Sequence, residues 1–160
     1  IGASVEESIE SEVVRVRVRG TPALRAAHVQ AVPDPGLATD LQAQVTTLLT
    51  QAEGDSKVHE RVFENRLGYV DDLRRMGALI DVDGSTAIVH GPTPLRGSIV
   101  YGRDIRSAAS LVIAALVADG MTELRDAQHL ARGYECMDEK LRLLGADVTP
   151  ATPSVDAPGG

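Results

Sequence analysis

The sequence predicts an α/β fold assembled from a recurring unit, and three observations carry that expectation. A short apolar-Gly-Ala signature recurs in "IGASVEE" from Ile1, "MGALIDV" from Met76 and "LGADVTP" from Leu144. Two longer stretches run in parallel: an aspartate, an apolar helical run, an acidic-Gly stop, a short strand, and an arginine ahead of a second helix. The interval from Gly54 to Arg66 equals that from Gly120 to Arg132, twelve residues. Self-similarity of this kind marks a fold built from repeated supersecondary units.

The elements follow in chain order. "VVRVRVRG" alternates Val14, Val16 and Val18 with Arg15, Arg17 and Arg19, a strand whose arginine face is solvated. "TDLQAQVTTLLTQAEG" (39–54) and "RDIRSAASLVIAALVADG" (103–120) each predict a helix opened by an aspartate. Within the second, "ASLVIAALVA" is apolar nearly all round and is expected to be buried on all sides. Strands follow in "KVHERV" from Lys57 and "MTELRD" from Met121, then the second helices "FENRLGYVDDLRRMG" and "HLARGYECMDEKLRLLG". In the last of these Tyr134, Met137, Leu141 and Leu144 recur at helical spacing, an apolar stripe expected to cover a sheet. Gly2, Gly77 and Gly145 fit the position past a helix end, where positive φ is required. "ALIDVDGSTAIVHG" places Asp83-Gly84 between two strand patterns and predicts a hairpin. "TPATPSVDAPGG" (149–160) has almost nothing to bury and predicts a disordered tail. The units fall at about 1–35, 36–95 and 96–148. Ile1 stands where a Met is usual, so the chain reads as cut from something longer, its start inside a unit. That leaves an incomplete third repeat and exposed apolar surface.

Composition narrows the function. With 160 residues, 43% of them hydrophobic, the chain can bury a core. Nothing approaches a membrane-spanning apolar run, and no leader is recognisable, so the expectation is a cytoplasmic protein. One cysteine excludes an internal disulfide framework. A net charge of −7 with three Tyr, one Phe and no Trp argues against nucleic acid. The four histidines lack ligand spacing, so no metal is expected. Cys136 has Glu135 and Asp138 for neighbours, which oppose an activated thiolate.

Pseudo-symmetry brings equivalent residues together, and the equivalent polar residues are Asp40 with Asp104 and Arg66 with Arg132. Helix N-termini favour anions, and arginine adds a planar fork that grips phosphate or carboxylate. Arg106, near the start of the apolar helix, needs an anionic partner. On pattern alone the two aspartates read as helix N-caps, and Arg66 and Arg132 as partners of neighbouring carboxylates such as Glu64. A small, multiply charged anion is the functional alternative.

Four segments then carry a resemblance. "PGLATDLQAQ", "FENRLGYVDDLRRMGA", "RDIRSAASLVIAALVADGMTEL" and "ARGYECMDEKLRLLGADV" closely resemble, in order, the C-terminal portion of the UDP-N-acetylglucosamine 1-carboxyvinyltransferase family, from about Ile1 to Val148. These enolpyruvyl transferases move enolpyruvate from phosphoenolpyruvate to the 3-hydroxyl of UDP-N-acetylglucosamine, releasing phosphate, in the first committed step of peptidoglycan synthesis. The resemblance implies an inside-out α/β barrel domain built from repeated αβαββ units around a pseudo-threefold axis, incomplete here. It implies no cofactor, and a partner in the N-terminal domain of the same protein. Asp40 takes the place of the general base. Val62 and Phe63 match nucleotide contacts. Arg66, Arg106 and Arg132 match arginines around phosphoenolpyruvate, and Asp104 and Ile105 sit beside that anion. The family's acid, a cysteine or aspartate, belongs to a loop of the other domain, so the chain alone is expected to be inactive. Ala38 and the run Leu67-Gly68-Tyr69 depart from the family pattern.

Overall fold

The computed structural model describes residues 1–150 apart from 11, 12, 22, 34 and 35; of the expected tail, 151–160 lie outside the described residues. A four-stranded sheet forms the centre. Its strands are β3 (His28–Ala31), β4 (Gly54–Glu60), β5 (Leu79–Asp83) and β6 (Thr86–Gly91), after a hairpin of β1 (Ser4–Glu10) and β2 (Val13–Arg19). The spatial order is β3-β4-β6-β5, with β3 parallel to β4 and the other neighbours antiparallel. Strand β4 shows the period-two rule: Ser56, Val58 and Glu60 are buried, while Asp55 and Lys57 are exposed. The expected hairpin joins β5 to β6, with Asp83 paired to Thr86 and Gly84-Ser85 as its tip.

Two helices cover this sheet, α1 (Gln42–Leu49) and α2 (Val70–Arg75). Leu49, Val70, Leu73 and Met76 pack there with Val58, Ile80, Ala87 and Val89 in one core. Two buried hydroxyls are linked in series: Thr46 donates to the Gln42 carbonyl at 2.9 Å, and Tyr69 donates to Thr46 at 2.9 Å. Burial pushes the Tyr69 phenol well above its ordinary range, against the opposing hydrogen bonds. Tyr69, at 4% exposure, is thus a core residue.

The second stretch is thinner. Strands β7 (Ile99–Tyr101) and β8 (Glu123–Arg125) make a two-stranded parallel sheet beside α3 (Ile105–Val117), which packs on α1. Helix α3 is not buried on all sides. Ala108, Leu111 and Ala114 are inside, while Leu116 and Val117 at its last turn are exposed. A second correction concerns α4, which spans only Met137–Leu143 after a 3₁₀ turn at Ala127–Arg132. Its expected apolar stripe does not form: Met137 and Leu141 are half-buried, but Leu144 is 84% exposed and Tyr134 is exposed. Cys136 precedes this helix as a free, exposed residue at φ 46°.

The glycine signature holds in detail. Gly2, Gly77 and Gly145 have φ of 99°, 99° and 96°. After α2, Gly77 N–H donates to Arg74 and Ala78 N–H to Leu73; after α4, Gly145 donates to Arg142 and Ala146 to Leu141. That paired pattern requires a left-handed residue, which glycine supplies without a Cβ clash. The β1–β2 hairpin keeps its register, Val5 opposite Val18 and Ile9 opposite Val14, yet both of its faces are exposed.

Candidate active site

Asp40 lies in a 3₁₀ turn (Thr39–Leu41) before α1, and Asp104 is the residue before α3. Their sequence equivalence conceals different roles. Asp104 is an N-cap with a complete capping box: its Oδ1 accepts from the backbone N–H of Arg106 and Ser107 at 2.9 and 3.2 Å, and Ser107 Oγ accepts from the Asp104 N–H. Asp40 caps nothing. Its side chain is 73% exposed, and its Oδ1 accepts from Arg106 Nη1 at 3.2 Å and meets Arg66 Nη1 at 3.6 Å. The reading of Asp40 as an N-cap is corrected; the turn before α1 leaves its carboxylate facing the arginines.

Arg106 reaches both aspartates, its Nε standing 3.2 Å from Asp104 Oδ1. The anionic partner it needs is therefore supplied within the chain. Arg66 is held differently from expectation. Its ion-pair partner is Asp40, not Glu64, and its guanidinium lies over the Phe63 ring, 4.3 Å from the centroid. Stacking fixes the plane of the fork while leaving its edge free to pair. Ile105 lies against Gly133, where a Cβ would come within 2.5 Å of Ile105 Cδ1. That close approach brings the Arg132-Gly133 backbone to the start of α3. The Arg132 side chain is exposed and makes no ion pair among the described residues. The chain thus groups Asp40, Phe63, Arg66, Asp104, Ile105 and Arg106, and sets Arg132 at the margin. Among the described residues no cluster suits a metal ion.

Glu60 was not among the expected site residues. It ends β4 at 2% exposure, with Oε2 accepting from Thr39 Oγ1 at 2.6 Å and Oε1 from the N–H groups of Val62 and Phe63 at 2.7 and 3.2 Å. Burial alone would raise its carboxyl; the Thr39 hydroxyl, the two N–H groups and the nearby Arg66 charge outweigh that and hold it below the ordinary range. The available signal was parity: Ser56, Val58 and Glu60 share one face of β4, so a glutamate falls on the inward side. Val62 therefore enters through its backbone. Glu60, Phe63, Arg66, Val82 and Ser85 help to line an open cleft of about 530 Å³.

A buried carboxylate, an exposed one and a stacked arginine stand together beside a cleft, an arrangement able to hold an anion and to accept a proton. Comparison gives the class. Residues 1–141 match the model of the EPSP synthase (3-phosphoshikimate 1-carboxyvinyltransferase) family, and the chain belongs to that family of enolpyruvyl transferases, with its inside-out α/β fold. Within the family its likeness is to UDP-N-acetylglucosamine 1-carboxyvinyltransferases. It is 53% identical over 146 residues to the one from Sorangium cellulosum (strain So ce56), covering 91% of this chain and 34% of that protein. It is 47% identical over 140 residues to that of Halothermothrix orenii (strain H 168 / OCM 544 / DSM 9562), covering 88% of this chain and 34% of that protein. Among solved structures it is similar to the enolpyruvyl transferase NikO from Streptomyces tendae, with TM-score 0.81 and 34% identity, covering 91% of this chain and 33% of that one. The chain spans about a third of the length of the curated relatives it matches.

Proposed function

We propose that this chain supplies one side of the active site of an enolpyruvyl transferase that moves enolpyruvate from phosphoenolpyruvate to the 3-hydroxyl of UDP-N-acetylglucosamine, with release of phosphate. The observation that carries the reading is the Asp40 carboxylate, exposed, free of capping duty and held by arginines from two other elements. In the addition step the sugar oxygen bonds to C2 of phosphoenolpyruvate, its proton passes to Asp40, and C3 takes a proton from an acid outside this chain. In the elimination step the C2–O bond to phosphate breaks and C3 gives up a proton. Phosphoenolpyruvate competes with Asp40 for Arg66 and Arg106, which releases the carboxylate to act as base and puts both guanidinium groups on the ligand's charge. Arg132 joins them as the third cation, Asp104 and Ile105 set the start of α3 beside the anion, and Val62 and Phe63 face the nucleotide.

The remaining two-thirds of the relatives' length supplies the acid and the rest of the nucleotide contacts, so the 160-residue chain alone turns nothing over. A cytoplasmic setting belongs to the same proposal and suits the free Cys136. The test is made in the full-length polypeptide. Phosphate release must depend on both substrates, and Asp40→Asn must lower kcat by roughly 100-fold or more with the folding transition unmoved. No release from the parent sinks the assignment; an unchanged kcat removes Asp40 from the mechanism. A second reading is the same transfer to a different acceptor. Calorimetry that finds phosphoenolpyruvate bound and UDP-N-acetylglucosamine ignored selects it.

A further inference from the structure

We infer that Glu60 is a positioning residue for the reacting carboxylate: its buried side chain ties the turn that carries Asp40 to the loop that carries Phe63 and Arg66, and so sets the spacing between Asp40 and Arg66. The inference rests on the reading of Asp40 as the base.

Asp40 and Glu60 divide the work. Asp40 has a side chain 73% exposed and pairs with the guanidinium groups of Arg66 and Arg106, contacts that an incoming anion can replace. Glu60 is 2% exposed, and its oxygens accept three hydrogen bonds from within the chain. One donor, the Thr39 hydroxyl, sits next to Asp40. The others, the Val62 and Phe63 amides, open the segment whose Phe63 ring carries the Arg66 guanidinium at 4.3 Å. Glu60 is itself anchored, its N–H donating to the Ser85 carbonyl at 2.9 Å across the sheet. The Asp40–Arg66 separation of 3.6 Å is thus closed through one strand end. A carboxylate suits this place because it is acceptor-only and meets three donors at once. A glutamine would keep the amide bonds and present an N–H to Thr39, and an aspartate is one methylene too short to reach both sides.

The test severs one side of the tie. Thr39 is half-buried, so Thr39→Val removes the bond to the Asp40 turn with little threat to folding, and Thr39→Ser retains it. In the full-length polypeptide Thr39→Val is expected to lower kcat roughly ten- to hundredfold, the scale of a misplaced catalytic group, with KM for both substrates little changed. Thr39→Ser retains the parental kcat. A parental kcat in Thr39→Val, or a loss in Thr39→Ser as large as in Thr39→Val, overturns the inference. Backbone NMR of the 160-residue chain reads the tie without the reaction. Thr39→Val must move the amide signals of Phe63 and Arg66 as well as those of 38–41. Changes confined to 38–41 refute the coupling, whereas a silent full-length parent with coupled signals refutes the assigned reaction and leaves the tie standing.

Discussion

The stretches 39–91 and 103–145 share one order of aspartate, apolar helix, strand, arginine and second helix, yet they end in different surroundings. In the first, both helices cover a four-stranded sheet, and Leu49, Leu73 and Met76 are fully buried. In the second, two strands stand beside α3, and the end of α4 is open, Leu143 at 87% and Leu144 at 84% exposure. An amphipathic pattern states which face wants cover; it does not provide the cover. Burial arises where a full set of strands and helices meets, which is why one pattern gives a core and the other a surface.

The largest test of that contrast is a pair of truncations. Leu73→Ala, at 0% exposure, is expected to cost about 2–5 kcal/mol by removing core contacts and leaving a cavity. Leu144→Ala is expected to stay within about 0.5 kcal/mol. Urea denaturation of both variants decides it, and equal losses would break the contrast. A smaller effect separates the two equivalent aspartates. Asp104→Ala removes the capping box of α3 and should cost about 1 kcal/mol, whereas Asp40→Ala, with no cap to lose, should move the denaturation midpoint far less.

The smallest effect sharpens the picture of the well-packed half. His90 on β6 bridges two neighbouring strands, its Nδ1 2.8 Å from Asp55 and its Nε2 3.0 Å from Asp81. The hydrogen bond to Asp55, then that to Asp81, raise its pKa above the ordinary histidine value. A raised folded value means that the bridge contributes fully below the ordinary histidine range and fades as pH rises through the raised value. An NMR titration of the His90 ring should show the upward shift, reduced more by Asp55→Asn than by Asp81→Asn. An ordinary titration in the parent would remove the bridge.

Much of the fold was legible because it rests on local chemistry. The Asp83-Gly84 hairpin and the positive-φ glycines after α2 and α4 follow from backbone rules that hold wherever those residues stand. The valine alternation in β2 was read correctly as a strand, but periodicity could not say whether anything lies over it, and Val14, Val16 and Val18 are exposed. The extent of α4 was overread for the same reason: helical spacing across Tyr134, Met137, Leu141 and Leu144 is satisfied by a shorter helix preceded by a turn at Cys136.

The candidate site divides along the same line. The sequence by itself determined its cast: an aspartate before each apolar helix, arginines at matched intervals, and the family whose motifs they form. Those depend on residue identity and spacing along one chain. Only the tertiary structure decided that Asp104 is spent on capping while Asp40 faces Arg66 and Arg106, because capping depends on the φ and ψ of a single residue. It alone showed that Glu60, 21 residues from Thr39, closes the gap between turn and loop. Hydrogen bonds across such separations depend on how the strands stack, and no local pattern encodes that.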